Sequence, residues 1–255
     1  MTLRKRRSAG NDKRRFWLYG HHAVAAALAN PERRCRRLLA TQAALAGLRR
    51  RAAGRLDGAD LGVEVTARGE LGRVLPHGAV HQGVALEVEP LPAQALATAC
   101  TPPPDAAAAV VVLDQVTDPQ NVGAVLRAAA AFGALAVVVP ERHAPHESGA
   151  LAKAASGALE AVALVRVANL ARALDDLKRL GYWCLGLDPA ADDTLATANP
   201  GGPVALVLGA EGAGLRRLTR ERCDLSVRLP ISDAVESLNV AAAAAVALYT
   251  VTQGR

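Results

Sequence analysis

Three short runs of uninterrupted apolar residues constrain this chain more than any other feature. Ala109 to Leu113, Ala136 to Val139 and Val204 to Leu208 are each four or five residues long. The first and third end at a polar or glycine-rich turn. A run with no polar alternation suits a strand buried on both faces, as in a parallel sheet. Between and after the runs, helical spacing appears at Asn121 to Phe132, Leu170 to Leu180 and Glu236 to Val251, and further extended pieces at Tyr182 to Leu187 and Leu225 to Leu229. Strands alternating with helices predict a parallel sheet covered on both sides.

Ahead of this region the alternation is looser. His22 to Ala29 and Ala43 to Arg55 read as helices; Arg37 to Thr41, Val63 to Ala67 and Val84 to Val88 read as strands. Residues 90–106 hold most of a proline cluster, with Pro102, Pro103 and Pro104 in succession, which interrupts helix and central strand alike. The expected organisation is therefore a basic disordered tail at 1–15, a small α/β unit at 16–89, a linker at 90–106 and a larger α/β unit at 107–255.

Charge separates these units. Residues 1–15 carry a net +6 and residues 31–56 a net +7, while residues 57–255 carry −7. A concentrated basic front beside an acidic body fits a phosphate-rich partner, and Arg33, Arg34, Arg36 and Arg37 are the expected phosphate contacts. The other reading is a solvated arginine-rich surface. Cys35, Cys100, Cys184 and Cys223 form no C-x-x-C pair, so neither a zinc site nor a disulfide framework is expected, and a cytoplasmic protein without metal or membrane contact fits. No apolar run reads as a membrane span or secretory signal.

Three segments carry candidate chemistry. The first, LDQVTDPQNVGAVLRAAAAFGA at 113–134, leads from a buried strand through a polar turn into a helix. Ligand sites of parallel α/β sheets lie beyond the strands' carboxyl ends. Asn121 reads as a helix cap or as a polar group aimed from the turn. Arg127, between Leu126 and Ala128, reads as a buried cation in need of a partner. The second, VALVLGAEGAGL at 204–215, opens a strand into a turn with Gly209, Gly212, Gly214 and one acid, Glu211. It lacks the nucleotide-loop signatures, and alone it reads equally as a plain turn with a solvated carboxylate. The third, LPISDAVESLNVAAAAAVALY at 229–249, places Asp233 and Glu236 at capping-box spacing ahead of a helix apolar on nearly every face, expected to be buried. Ser237 and Asn239 fall in its first turn, where capping explains them as well as function does.

In order and internal sequence these segments, with YGHHAVAAAL at 19–28, GAVHQGV at 78–84 and LRRLTRE at 215–221, resemble the SpoU (TrmH-like) family of RNA 2′-O-ribose methyltransferases. The resemblance runs from about Trp17 to Val251. It implies a catalytic α/β domain with a C-terminal trefoil knot behind a small α/β RNA-binding domain, and a homodimer joined through the knotted domain. It also implies S-adenosylmethionine as cofactor, held at Gly209, Leu229 and Leu238. Arg127, Asn121, Glu211, Ser237 and Asn239 then match the polar residues around the reacting ribose. A guanosine of large-subunit ribosomal RNA is the implied substrate; a transfer RNA, or RNA binding without catalysis, are the alternatives. The arginine matching Arg127 has been proposed as general base in the family, but a guanidinium is a poor base. The expected role is polarisation of the hydroxyl or phosphate binding, with Glu211 paired to Arg127 and fixing its direction.

Overall fold

A computed structural model describes residues 15–51, 56, 61–104, 108–198, 200–232 and 234–253. The expected basic tail, except Arg15, the end of the helix predicted to reach Arg55, and Asp233 lie outside these residues.

The front unit is built from β1 (Phe16–Tyr19), α1 (His21–Ala29), β2 (Cys35–Ala40), α2 (Gln42–Arg51), β3 (Gly62–Val65), α3 (Arg68–Val74) and β4 (Val84–Val88). Its four strands order as β1-β4-β2-β3, with β4 antiparallel to both neighbours and β2 parallel to β3. β1 and α3 are additions to the sequence reading.

The prolines do not make a bare linker. A short helix, α4 (Leu96–Cys100), lies within 90–106 and packs against the second sheet, and its Cys100 is fully buried. Its segment holds no proline between Pro92 and Pro102, which leaves room for one helical turn.

The second unit follows as β5 (Ala109–Leu113), α5 (Pro119–Ala131), β6 (Ala136–Pro140), α6 (Gly149–Ala155), a 3-10 turn (Ala158–Glu160), β7 (Ala163–Val167), α7 (Leu170–Arg179), β8 (Trp183–Leu187), β9 (Val204–Leu208), α8 (Arg217–Arg220), β10 (Leu225–Val227) and α9 (Val240–Gln253). Its six strands are all parallel in the order β10-β8-β9-β5-β6-β7. The central strands are buried on both faces, as their unbroken apolar character requires. Val111, Val137 and Leu206 face the layer holding α5, α6 and α9; Val110, Val138 and Val207 face α4 and α7.

The first of these layers runs on into the front unit, where Leu18, Val24 and Leu28 join Leu151, Ala155 and Leu159 in one apolar cluster. The close fit has a specific cause at Gly149: a Cβ there would stand 2.4 Å from both the Trp17 carbonyl oxygen and the Tyr19 ring. Only glycine lets α6 reach β1.

The last helix corrects two expectations. It begins at Val240, not near Glu236, because Asn239 caps it by accepting from the Ala241 amide at 2.9 Å. Nor is it wholly enclosed. Ala242, Val246 and Tyr249 share one exposed face, with Val246 47% and Tyr249 57% accessible.

Candidate active site

The three segments meet at the carboxyl edge of the parallel sheet. α5 starts with Asp118 as its cap, the carboxylate accepting from the Gln120 amide at 2.9 Å, and with Pro119 in the first turn. The cap position is thereby filled, and Asn121 is left to point from the first turn. β9 delivers Glu211 on the turn that follows it. The segment after β10 delivers Asn239 at the head of α9.

These residues form one hydrogen-bonded group. Asn239 Nδ2 donates to Glu211 Oε1 at 2.8 Å and to Asn121 Oδ1 at 3.0 Å. Asn121 Nδ2 makes a longer 3.5 Å contact with the same Glu211 oxygen, and the Val240 amide donates to it at 3.3 Å. A carboxylate at the start of a fourteen-residue helix also meets the positive end of the helix dipole. The capping reading of Asn239 and its role in this group both hold: its carbonyl oxygen caps while its amide links the other two segments.

Arg127 departs from expectation. It is exposed and makes no hydrogen bond or ion pair with a described residue, so Glu211 does not pair with it. Apolar sequence neighbours misled here because adjacent helical residues point about 100° apart. Val122, Val125, Leu126 and Ala129 take the buried face; Arg127 shares the outer one with Ala130 and Ala131.

A cavity of about 700 Å³ opens beside the group. Gly209, Leu229 and Leu238 line it, with Glu211 and Ser237 at its polar margin and Leu187, Leu208 and Ile231 among its apolar walls. Asn121, Asn239 and Arg127 are not part of its lining. A cavity of about 870 Å³ between the units is lined by Glu32, Glu147, Glu160 and several prolines. It touches none of the three segments, so the smaller cavity is the candidate site.

Gly209 is a glycine because of the turn itself. A Cβ there would lie 2.1 Å from the Gly214 carbonyl carbon and 2.5 Å from the Leu215 nitrogen. The glycine is demanded by the turn folding on itself, closed by the Gly214 amide donating to the Ala210 carbonyl at 2.9 Å.

Two acids of the site were missed in the sequence. Asp114, fully buried after β5, accepts from the Arg216 backbone amide at 3.0 Å and from its Nε at 2.7 Å, which anchors the end of the glycine turn. Asp188 lines the cavity after β8, accepts from the Ala190 amide and pairs with Arg220 at 3.1 Å. Each follows directly on a strand, which is the signal that could have found them.

A parallel α/β sheet with polar side chains converging from three strand ends on one partly apolar cavity defines a ligand-binding enzyme of the open-sheet class. The chain belongs to the SpoU rRNA Methylase family, whose pattern matches residues 108–249, while the RNA 2'-O ribose methyltransferase substrate binding family matches 17–94. It is similar to the 23S rRNA (guanosine-2'-O-)-methyltransferase RlmB of Pseudomonas putida, 37% identical over 93% of this chain and 96% of that one. With the RlmB of Nitrosomonas europaea it shares 47% identity over 66% of this chain and 65% of the other, so this match spans just under two thirds of that relative. Among solved structures, the SpoU methyltransferase AviRb from Streptomyces viridochromogenes in complex with AdoMet superposes with a TM-score of 0.78 at 25% identity, covering 94% of this chain and 90% of that chain. A structure described by the 2-OH methylation of C/U34 on tRNA covers 58% of this chain and 99% of itself, TM-score 0.52 at 28% identity.

Proposed function

We propose that this chain methylates the 2′-oxygen of a ribose in RNA with S-adenosylmethionine, the target being a guanosine of large-subunit ribosomal RNA. The observation that carries the reading is the joining of Asn121, Glu211 and Asn239, from three distant segments, beside the Gly209–Leu229–Leu238 cavity.

The cavity fits the cofactor's chemistry. Leu187, Leu208, Leu229 and Leu238 suit an apolar ring face, backbone groups around Gly209 suit its edge, and the carboxylates of Asp188 and Glu236 suit hydroxyl and ammonium groups. When bound, S-adenosylmethionine supplies an electrophilic methyl group. The chain's part is to hold the ribose oxygen in line with it, and such positioning contributes several kcal/mol, roughly 7–11 at the upper limit. Asn121, Asn239 and Ser237 orient the ribose, and Glu211 fixes both asparagine amides. Arg127 stabilises the developing negative charge or grips the neighbouring phosphate.

The proposed unit boundaries are 16–89, 90–106 and 107–255, with the segment after β10 threaded to form the knot. Supporting this, Arg228 bonds to Asp193 and Leu195 in the β8–β9 connection before the chain crosses to α9. A homodimer through the second unit would cover Ala130, Ala131, Ala242, Val246 and Tyr249, an apolar face on adjacent helices α5 and α9. Among the described residues no helix is long and apolar enough to cross a membrane; the cytoplasm is the proposed location.

The relative acting on tRNA has no counterpart for about two fifths of this chain, which favours ribosomal RNA for a protein with an added front unit. The test is mass-spectrometric mapping of ribose methylation on transcribed ribosomal and transfer RNA incubated with the protein and cofactor. A 2′-O-methylguanosine in the ribosomal fragment supports the proposal. Methylated tRNA alone would move the substrate, and cofactor binding without methylation of any RNA would leave an RNA-binding factor.

A further inference from the structure

The four arginines that dominate the front unit's charge are largely neutralised. Arg33 pairs with Glu147 and Glu160, Arg34 and Arg36 with Glu89, and Arg37 with Glu64. One further group of cations lies at the seam where α6 of the second unit meets the two front-unit motifs that the catalytic reading does not use, YGHH and VHQG.

Lys153 of α6 is only partly exposed and has no carboxylate partner among the described residues. Its Nζ stands 3.1 Å from where a Cβ on Gly20 would be, and Gln82 Oε1 stands 3.3 Å from the same point. Both groups therefore face one small volume, which exists because Gly20 has no side chain. Gln82 is held there in a left-handed conformation (φ 56°) and accepts the His21 backbone amide at 3.1 Å. His81, whose Nδ1 accepts the Gly83 amide at 3.1 Å, stands next to it. Arg68, exposed and without a carboxylate partner among the described residues, is the first residue of α3.

Burial lowers the pKa of Lys153 with no acid nearby to offset it. His81 is lowered by burial and then by the charges of Arg68 and Lys153, which places all three within electrostatic reach. An uncompensated ammonium that is part desolvated is costly unless an anion arrives.

The seam is joined to the site by one helix contact. α6 crosses α5 at Gly123, where a Cβ would meet the Leu151 carbonyl oxygen at 2.4 Å and Ala154 Cβ at 2.6 Å. Gly123 is two residues from Asn121, and Ala154 is next to Lys153. One rigid helix crossing thus separates the cation from the Asn121–Glu211–Asn239 group.

We propose that Lys153, with Arg68, His81 and Gln82 around it, binds a backbone phosphate of the RNA strand flanking the methylated nucleotide, so that both units grip the same strand. Phosphate suits the cluster because it presents several acceptor oxygens and full negative charge to an ammonium and a guanidinium. The inference rests on the RNA reading above.

The test is the salt dependence of RNA binding by the full-length protein, on ribosomal fragments that the wild type methylates. Lys153→Gln is expected to lower the slope of log K against log salt by about one and to weaken binding at every sequence. Lys153→Arg should restore most of the slope. Arg68→Gln, at an exposed position, should lower it similarly. Arg37→Gln, whose cation is already paired, should change it less. S-adenosylmethionine affinity should stay unchanged in all four. Unaltered slopes and RNA KM in both Lys153→Gln and Arg68→Gln, with wild-type methylation intact, would overturn the seam. A wild type that neither binds nor methylates RNA would instead overturn the functional reading, and this inference with it.

Discussion

Arg33 donates through Nη2 to Glu160 Oε1 at 2.6 Å and joins the loop ahead of β2 to the 3-10 turn behind α6. The same guanidinium reaches Glu147 at 2.9 Å and the Glu89 carbonyl at 3.0 Å, and its side chain is wholly inaccessible. Desolvation opposes its charge, but hydrogen bonds and attraction from Glu160 and Glu147 prevail and raise its pKa. Expected from sequence as a phosphate contact, it is instead a bolt between the units. Removing one partner of a buried pair costs about 3–5 kcal/mol, so Arg33→Met should lower unfolding free energy by that amount in urea titrations. A loss below about 1 kcal/mol would mean that the pair behaves like a surface bridge.

The Asn121–Glu211–Asn239 group acts as a unit in the proposed reaction. Alanine at Asn121 or Asn239, or at Glu211, which holds their amides, should reduce single-turnover methyl transfer by about 10²–10³, the range for loss of one preorganised donor. The double variant Asn121→Ala with Asn239→Ala should fall well short of the product of the single effects. Arg127→Ala should abolish transfer yet leave cofactor binding and melting temperature near wild type, because the side chain is exposed and has no partner among the described residues. Arg127→Lys should also be poor, since an ammonium does not reproduce a planar fork. Near-normal turnover in Arg127→Ala would remove it from the chemistry.

Much of this architecture is legible in the residues. Ala109–Leu113, Ala136–Pro140 and Val204–Leu208 form strands where continuous apolar runs predict them. β7 escapes because Ala163–Val167 is an edge strand with Arg166 inside it, and α6 because GALAKAA is seven residues long and begins with glycine. In the site, residue type and turn position single out Asn121, Glu211 and Asn239, but not their bonds to one another, which depend on how three strand ends meet. The misplacement of Arg127 has the same origin, for composition along a helix does not say which face is covered. The neutralisation of Arg33 was invisible because Glu147 and Glu160 lie more than a hundred residues away.

Gly209 tests whether turn and cofactor pocket are one object. Because its Cβ would strike the Gly214 backbone, Gly209→Ala should loosen the turn and weaken S-adenosylmethionine binding together. Gly212→Ala, with φ +78° and nothing within 4 Å, should cost only the left-handed strain of about 1–2 kcal/mol. Calorimetry paired with thermal melts decides it. A Gly209→Ala protein with wild-type melting and lost affinity would return that position to direct ligand contact.

Alkaline stability follows from buried thiols. Burial pushes Cys100 up to about 11, and burial followed by the charge of Asp224 pushes Cys184 up to about 12. Burial likewise takes Cys223 to about 12, although Lys178 opposes it. In this range the folded chain holds protons that the unfolded chain releases above its ordinary thiol value near 9, so stability falls as pH rises from about 9 toward 12. Unfolding midpoints in denaturant should drop progressively across that window. Cys184→Ala should flatten the decline, and an unchanged midpoint between pH 8 and 11 in the wild type would contradict it.

The outer face of α9 predicts the state of assembly. Tyr249 packs edge-on against Phe132 of the α5 terminus, with ring centroids 6.0 Å apart, yet remains 57% accessible beside Val246 and Ala242. Among the described residues nothing covers this stripe, and a twofold interface would bury the same patch on both copies. It would also bring the Arg127 face of α5 to the edge of the contact, since Ala130 and Ala131 lie on that face. Sedimentation equilibrium should report a dimer for the wild type. Val246→Glu with Tyr249→Glu should give a monomer of unchanged circular dichroism, because neither side chain fills the core. That monomer should lose methyl transfer if Arg127 depends on the interface for its direction. A wild type monomeric at micromolar concentration, or a charged double variant that still dimerises, would place the contact elsewhere.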